Sequence, residues 1–216
     1  MVAAAPSLCR VVILDRDGTL VDFVRDAELG VITPAFHPDQ LRLLPGVIRG
    51  LRELEAAGYL LAVATNQPGA AKGQIPLRAI TRTNAALGEL LQAQGLALGA
   101  FECCPHHPDG GPGGDSSLVG PCECRKPKPG MLLDIARKLG AEPAQCWVIG
   151  DTAADLGAAR AAAMRCALVV PMRRCELCPL PQTAEPEPRA DIVDHRFDLV
   201  VQALLRADAH RASLGA

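Results

Sequence analysis

Short apolar segments of strand length alternate along the chain with longer stretches of helical periodicity. Residues 11–14, 60–64 and 146–149 are apolar runs that end abruptly in polar residues, as buried parallel strands do. A last strand is predicted at residues 191–193. Helices are predicted over residues 45–58, 77–94, 130–139, 153–164 and 197–205. The alternation of strands and helices predicts an α/β fold built on a doubly wound parallel sheet.

Two stretches interrupt this alternation. Residues 103–130 are rich in Cys, His, Gly and Pro and show no apolar periodicity, so we predict an irregular loop there. Residues 171–190 are rich in proline and predict a surface segment. We therefore expect a single domain over residues 1–216, with a metal-binding loop at 103–125 and a proline-rich surface segment at 171–190.

Polar residues follow three of the predicted strands. Asp15 and Asp17 come after the first, Thr65 after the second and Asp151 after the third. Ligands of doubly wound sheets bind beyond the carboxyl ends of the strands, so these side chains are predicted to converge. Two neighbouring carboxylates bind Mg²⁺ well, and one can attack phosphorus while the other transfers a proton. The strand ends therefore favour phosphoester hydrolysis.

The composition indicates which kinds of binding partner and which cellular compartment to expect. The 216 residues are 49% hydrophobic and 21% charged, which is typical of a globular protein with a sizeable core. Aromatic residues make up only 3% and the net charge is -2, which argues against nucleic-acid binding. Residues 1–14 resemble neither a signal peptide nor a membrane span, so we expect a cytoplasmic protein without membrane association.

Cysteine usage points to metal binding. An odd count of 9 cysteines in a reducing compartment argues against a disulfide framework. Three thiolates and an imidazole form a donor set that structural Zn²⁺ accepts, and the chain supplies them at Cys104, His106, Cys122 and Cys124. The neighbouring Cys103 and His107 remain alternative ligands, and a reduced loop without metal remains an alternative to a zinc site.

The other five cysteines are assigned to burial or to the surface. Cys9, Cys146 and Cys166 lie in or beside apolar runs and are expected to be buried as small hydrophobic residues. Cys175 and Cys178 are expected to lie in a surface loop without metal.

Four motifs occur in the order found in a known family. Asp15-Arg16-Asp17-Gly18-Thr19 resembles the first motif of the haloacid dehalogenase-like phosphohydrolases, and the later motifs are Thr65-Asn66-Gln67, Arg125-Lys126-Pro127 and Gly150-Asp151 followed by Asp155. The resemblance implies that Asp15 becomes phosphorylated and that Asp17 acts as general acid and then base. It also implies a Mg²⁺ site formed by Asp15, Asp17 and Asp151, with Asp155 supporting it.

The third motif and Thr65 supply the donors that phosphoryl transfer requires. Negative charge spreads over the equatorial oxygens of the transferred group and is stabilised by fixed donors and cations. Thr65 can donate a hydrogen bond and Lys126 a positive charge, whereas Lys128 is expected to lie on the surface. About fifty residues separate Asp15 from Thr65, so no large cap domain fits between them and the site should be open.

The sequence of the cysteine loop resembles two particular groups of enzymes within this family. Cys104-Pro105-His106-His107-Pro108 and Cys122-x-Cys124-Arg125-Lys126-Pro127 resemble the D-glycero-D-manno-heptose 1,7-bisphosphate 7-phosphatases and the related histidinol-phosphate phosphatases. This similarity implies zinc bound by Cys104, His106, Cys122 and Cys124. It also implies substrate contacts from Arg16, Asn66, Gln67 and Arg125. The chain departs from the heptose enzymes at Thr152, where many of them carry lysine, and in the loop over residues 22–38.

The substrate implied by the resemblance is a small phosphorylated sugar, namely the heptose bisphosphate cleaved at C7. Histidinol phosphate is the alternative, because Asp22, Asp26 and Glu28 could meet its amine. A zinc-loop interaction module on a catalytically inactive fold is an alternative of another class, but it predicts the loss of at least one catalytic group. A DNA-end phosphatase is disfavoured by the composition. We expect a monomer.

Overall fold

The computed structural model describes residues 9–28, 30–170 and 189–214. Residues 171–188, which include Cys175 and Cys178, lie outside the described residues, so the expectation of a proline-rich surface segment there stays a prediction. None of the helices in the described ranges combines the length and apolar character that a membrane-spanning helix needs.

The centre of the fold is a six-stranded, entirely parallel sheet with the strand order β5-β4-β1-β6-β7-β8. Its strands are β1 (Arg10–Leu14), β4 (Tyr59–Asn66), β5 (Leu98–Cys104), β6 (Cys146–Gly150), β7 (Arg165–Val169) and β8 (Ile192–Asp194). A two-stranded antiparallel hairpin is formed by β2 (Val24–Asp26) and β3 (Val31–Thr33). The helices are α1 (Val47–Ala56), α2 (Leu77–Ala93), α3 (Gly130–Lys138), α4 (Ala153–Ala161) and α5 (Phe197–Leu214).

Helices cover both faces of the sheet. The side chains of the central strand β1 point alternately to the two faces and pack against different helices. Val12 and Leu14 of β1 pack in one apolar cluster with residues of α1, α2 and α5. Val11 and Ile13, which point the other way, pack in a second cluster with residues of α3 and α4. This arrangement confirms the predicted doubly wound α/β sheet. Within the described residues between β1 and β4 the chain forms the β2–β3 hairpin, a single 3₁₀ turn and α1, and this part of the chain contains no large cap domain.

The structure corrects several predicted boundaries. β4 continues through Thr65 and Asn66 because both pair with β5, although they are polar. Helix α4 ends at Ala161, and the chain then enters β7, a strand that the alanine-rich pattern concealed. Helix α5 runs nine residues beyond the predicted end at 205, to Leu214, although its last turns are exposed.

The long α5 helix is tied to the edge of the sheet where the strands begin. The carboxylate of Asp208 accepts hydrogen bonds from the Tyr59 hydroxyl, from Trp147 Nε1 at 3.3 Å and from the Arg165 guanidinium. The same guanidinium lies over the Trp147 ring, 4.4 Å from its centroid. These contacts account for the part of α5 that apolar periodicity does not predict.

Three cysteines were predicted to be buried as small hydrophobic residues. Cys146 and Cys166 are fully buried and Cys9 is partly buried. Burial raises the pKa of the Cys146 thiol to about 11 and that of Cys166 to about 12, so both remain protonated at neutral pH.

Candidate active site

The predicted strand-end residues lie together at the carboxyl edge of the sheet. Asp15 follows β1, Thr65 lies at the end of β4, and Asp151 follows β6, and these three strands are adjacent. The backbone N–H of Asp15 donates to the carbonyl of Ile149 at 2.9 Å, so strand pairing extends to Asp15 itself. Beyond it the chain turns sharply at Gly18, whose φ of 88° lies in the left-handed region that favours glycine.

A buried lysine joins two carboxylates at the centre of the site. Lys126 is only 4% exposed, and its Nζ lies 2.6 Å from an oxygen of Asp15 and 2.6 Å from an oxygen of Asp155. The Ala64 carbonyl accepts the third hydrogen bond from Nζ at 2.8 Å. Lys126 thus uses all three of its donors and holds a fixed positive charge beside Asp15.

Asn66 fixes the backbone that carries this lysine. Its side-chain amide donates to the Lys126 carbonyl at 3.0 Å and accepts from the Lys126 N–H at 3.1 Å. Asn66 was predicted to bind substrate, and in the structure its amide is used to hold the third motif against β4. Lys128, two residues further on, is exposed as predicted and pairs with Glu123 at 2.8 Å.

Burial and neighbouring charges shift the pKa values of Asp15, Lys126 and Asp155. Burial, with further contributions from Asp155 and Asp17, raises the pKa of Asp15 to about 7, although Lys126 acts in the opposite direction. Burial alone would lower the pKa of Lys126, but the carboxylates of Asp15 and Asp155 outweigh it and raise that pKa. Burial also opposes ionisation of Asp155, yet the charge of Lys126 holds the Asp155 pKa below its usual range. The ionised form of Asp15 therefore depends on the neighbouring cation.

Asp17 is held by two side chains that were predicted to bind substrate. The Arg16 guanidinium donates to Asp17 from Nε at 2.9 Å, and the Gln67 amide donates to the same carboxylate at 2.5 Å. Arg16 is 0% exposed and Gln67 is 1% exposed. Both side chains are buried against Asp17, and their role in substrate binding stays a prediction.

Asn84 completes this arrangement and was not singled out from the sequence. It lies on α2, and its Oδ1 accepts a hydrogen bond from Arg16 Nη1 at 2.6 Å. The Ala35 carbonyl accepts from Arg16 Nη2 at 3.0 Å. Asn84 occupies the buried face of α2 together with Ile80 and Leu87, and a polar residue at such a position is the signal that could have identified it.

The carboxylates could hold a divalent cation. Among the described residues, Asp15, Asp151 and Asp155 offer oxygen atoms within 4.8 Å of one another. Oxygen donors of this kind suit Mg²⁺. Asp155 already accepts from Lys126 and from the Thr152 N–H at 3.1 Å, so Asp15 and Asp151 would be the side-chain ligands of such a cation, with Asp155 in support. The Asp17 carboxylate, predicted as a third ligand, is outside this cluster because it faces Arg16 and Gln67.

A second group of metal-binding side chains lies in the cysteine loop. Cys104, His106, Cys122 and Cys124 place one ligand atom each within 4.8 Å of the others. The sulfur atoms of Cys104 and Cys122 are 3.7 Å apart, and Cys124 Sγ lies 3.3 Å from His106 Nδ1. Tetrahedral ligands about 2.0–2.3 Å from a Zn²⁺ ion are separated by similar distances. The four residues therefore fit a closed, structural zinc site.

The two alternative ligands lie elsewhere. Cys103 and Cys104 alternate along β5, so the Cys103 thiol is directed toward Asn84 and Arg16 and burial raises its pKa to about 11. His107 Nδ1 accepts hydrogen bonds from the N–H groups of Asp109 and Gly110 at 3.2 and 3.1 Å. The structure thus selects Cys104 and His106 from the two adjacent pairs.

The tip of the cysteine loop packs on the segment that follows β4 through backbone alone. The Asp115 N–H donates to the Ala70 carbonyl at 3.0 Å. A Cβ atom at Gly114 would overlap the Ala71 carbonyl, and one at Gly111 would overlap the backbone of Lys72. Only glycine permits this close approach, which places the tip of the loop beside Lys72.

Comparison with known proteins agrees with this geometry. A family model described as HAD-hydrolase-like matches residues 123–171. The D-glycero-beta-D-manno-heptose-1,7-bisphosphate 7-phosphatase of Pseudomonas aeruginosa is 38% identical over 149 residues, which cover 69% of this chain and 74% of the relative. The protein of the same name from Haemophilus influenzae is 33% identical over 192 residues, covering 88% of this chain and 94% of the relative.

A solved structure has the same fold. The D,D-heptose 1,7-bisphosphate phosphatase from B. bronchiseptica, complexed with magnesium and phosphate, superposes with a TM-score of 0.69 at 31% sequence identity. The match covers 92% of this chain and 99% of that one. The similarity therefore extends over most of the chain.

Proposed function

The chain belongs to the HAD-like phosphatases, in the family that includes the D-glycero-beta-D-manno-heptose-1,7-bisphosphate 7-phosphatases, and from this premise we propose that it removes the C7 phosphate of that heptose bisphosphate. The observation that carries the chemistry is the buried contact of Lys126 with Asp15 and Asp155 at the strand ends. The relatives' names support the choice of sugar.

In the proposed reaction Asp15 attacks the phosphorus atom and the bond to the sugar oxygen breaks, which leaves an aspartyl phosphate. Asp17 gives its proton to the departing oxygen, then takes one from a water molecule that attacks the aspartyl phosphate and releases inorganic phosphate. Lys126 and Thr65 stabilise the charge that develops on the transferred group. A Mg²⁺ ion held by Asp15 and Asp151 would neutralise part of the same charge.

Arg16, Gln67 and Asn84 have positioning roles in this mechanism. Arg16 and Gln67 bind the Asp17 carboxylate directly, and Asn84 holds Arg16. Because the three are buried, they restrict Asp17 from the interior of the protein.

The positive charge near the cysteine loop favours a bisphosphate over histidinol phosphate. The pKa of His107 is lowered by partial desolvation and by the positive charges of Lys72 and Arg125, which therefore lie near it. Arg125 also donates to the His106 carbonyl at 3.2 Å, which orients its guanidinium. A second phosphate is attracted by these cations, whereas the amine of histidinol is repelled. In the loop proposed to meet that amine, Asp22 is instead paired with Arg25 at 3.0 Å.

The substrate assignment is tested by phosphate release from both anomers of the heptose bisphosphate and from histidinol phosphate. We expect a higher kcat/KM for one of the bisphosphate anomers. Lys72→Ala should raise KM for the bisphosphate more than for a sugar monophosphate, whereas Lys138→Ala, which removes an exposed lysine paired with Glu102, should leave both unchanged. A higher kcat/KM for histidinol phosphate would reject the heptose assignment and keep the phosphatase.

Removal of divalent cations is expected to stop turnover. Asp15, Asp151 and Asp155 bring negative charge to one small site, and the phosphate monoester adds more, so the reaction requires a neutralising cation. Phosphate release should fall to background after EDTA treatment and removal of the chelator, and Mg²⁺ should restore it. Zinc content is measured on the same samples, so that loss of zinc is not mistaken for loss of Mg²⁺. Full activity in the Mg²⁺-depleted enzyme would contradict the proposed site.

We expect one structural zinc ion per chain, and Cys122→Ala should remove it. Four protein ligands leave no open position for water, so the metal would act on the fold and not on the substrate. Because Lys126 is only two residues beyond Cys124, loss of the metal should also misplace Lys126 and reduce kcat. Metal analysis, melting temperature and kcat are compared with those of Cys9→Ala, which keeps the zinc ligands. Unchanged zinc content and kcat in Cys122→Ala would contradict the assignment.

A further inference from the structure

An open surface cavity, separate from the carboxylate site, lies between the chain segment before the 3₁₀ turn at Pro38–Gln40 and the first turns of α2, and its polar lining residues are exposed. Its volume is about 250 Å³, and its lining residues are Phe36, His37, Arg78, Ala79 and Arg82. None of these residues contributes to the catalytic or zinc-binding groups. The volume is several times the roughly 30 Å³ of one water molecule and is smaller than the pockets that hold drug-sized ligands, so it suits a small occupant.

The lining of this cavity is cationic. Arg78 and Arg82 are four residues apart on α2 and therefore project from the same face of the helix. Arg82 also contacts His37 Nε2 across the cavity. The first turn of α2 contains no acidic residue. Over the described ranges of the chain no carboxylate forms an ion pair with either arginine, and the Asp39 carboxylate, whose side chain is 90% exposed, lies 3.3 Å from His37 Nδ1.

We propose that this cavity binds the phosphate group of a small phosphorylated molecule. Two guanidinium groups on one face of a helix match the oxygens of a phosphate in charge and geometry. The ring of Phe36 provides an apolar wall for a short carbon chain attached to that phosphate. Inorganic phosphate, a product of the proposed reaction, and a phosphorylated metabolite offer the same group and are distinguished below.

The cavity is connected to the catalytic residues through Arg16. This guanidinium donates to the Ala35 carbonyl at 3.0 Å and to Asn84 Oδ1 at 2.6 Å, so it bonds to both of the elements that form the cavity walls. The same guanidinium binds Asp17. A phosphate that bridges His37 and the two arginines therefore acts on the same two elements that hold Asp17, while leaving the carboxylate site open to substrate.

The test is calorimetric titration of inorganic phosphate and, separately, of glycerol 3-phosphate into the full-length chain with zinc retained and Mg²⁺ absent. The Arg78→Ala/Arg82→Ala variant should bind one phosphate fewer per chain, or bind at that site at least about tenfold more weakly, because both guanidinium groups that donate charged hydrogen bonds to the phosphate are removed. The matched control is Arg52→Ala/Arg137→Ala, which removes two exposed arginines of other helices and the same net charge.

The results of this titration distinguish inorganic phosphate from a phosphorylated metabolite as the occupant, and they can overturn the proposal. Tighter binding of glycerol 3-phosphate than of phosphate supports a phosphorylated metabolite seated against Phe36, and equal affinity supports recognition of the phosphate alone. Unchanged stoichiometry and affinity in Arg78→Ala/Arg82→Ala would overturn the proposal. An equal loss in the control variant would also overturn it, because the effect would then be one of net charge. Because Mg²⁺ is absent, the carboxylates at the strand ends repel phosphate, so the titration reports on the cavity and a negative result leaves the proposed reaction unaffected.

Discussion

Asp15→Asn is expected to lower kcat by about four powers of ten or more, because an amide cannot accept the phosphoryl group. Asn has the shape of Asp and removes a carboxylate whose pKa is already raised to about 7 by burial, so the variant should fold. Lys126 keeps Asp155 and the Ala64 carbonyl as partners. Single-turnover and steady-state phosphate release, together with the melting temperature, measure both parts of this expectation.

The control for this variant is Asp134→Asn, the same substitution on the surface of α3, where Asp134 pairs with Arg137. Its kcat should equal that of the unmodified chain. Retention of more than about a tenth of the original rate in Asp15→Asn would contradict a covalent role for Asp15, since loss of a nucleophile costs far more.

Lys126→Met should combine loss of activity with loss of stability. Methionine fills similar volume but leaves the buried carboxylates of Asp15 and Asp155 without their cation. Removing one partner of a buried ion pair costs about 3–5 kcal/mol of unfolding free energy. The pKa of Asp15, which Lys126 lowers at present, should rise further, so less of the reactive carboxylate is present at neutral pH. Urea unfolding and phosphate release are the measurements.

Lys128→Met provides a matched comparison within the same loop. Lys128 has a side chain 46% exposed and pairs with an exposed glutamate, Glu123. Exposed pairs of this kind contribute about 0–1 kcal/mol, and Lys128 does not reach the carboxylates, so stability and kcat should change little. Similar losses in the two variants would mean that the effect of Lys126 arises from the loop and not from its contacts with Asp15 and Asp155.

The sheet and the carboxylates at its edge were predictable because both depend on local patterns. Apolar runs that stop at Asp15 and Asp151 identify strand ends, and the parallel topology brings strand ends together. The extent of α5 was not predictable in the same way. Its last turns are exposed, and Asp208, which fixes them, binds residues that are 43 to 149 positions away in the chain.

The roles of individual polar residues were harder to predict than their location. Arg16 and Gln67 belong to motifs at the site, yet both face inward and bind Asp17. Sequence spacing places a residue near a site but does not tell whether its side chain meets substrate or another side chain. Likewise, Cys103 and Cys104 point to opposite faces of the sheet, one toward α2 and the other toward α3. Which of them can bind the metal follows only once β5 is known to include both cysteines.

The contact between the glycine-rich tip of the cysteine loop and the chain after β4 restricts how this surface can change. Surface loops are usually the parts of a protein that accept substitutions, insertions and grafted sequences most readily. Here Gly111 and Gly114 have no space for a side chain although they are only partly buried. A loop transplanted from another protein between His106 and Cys122 must therefore reproduce a backbone-only contact as well as the spacing of the ligands. A chimera that exchanges the metal-binding ends of the loop should therefore also exchange the glycine segment between them.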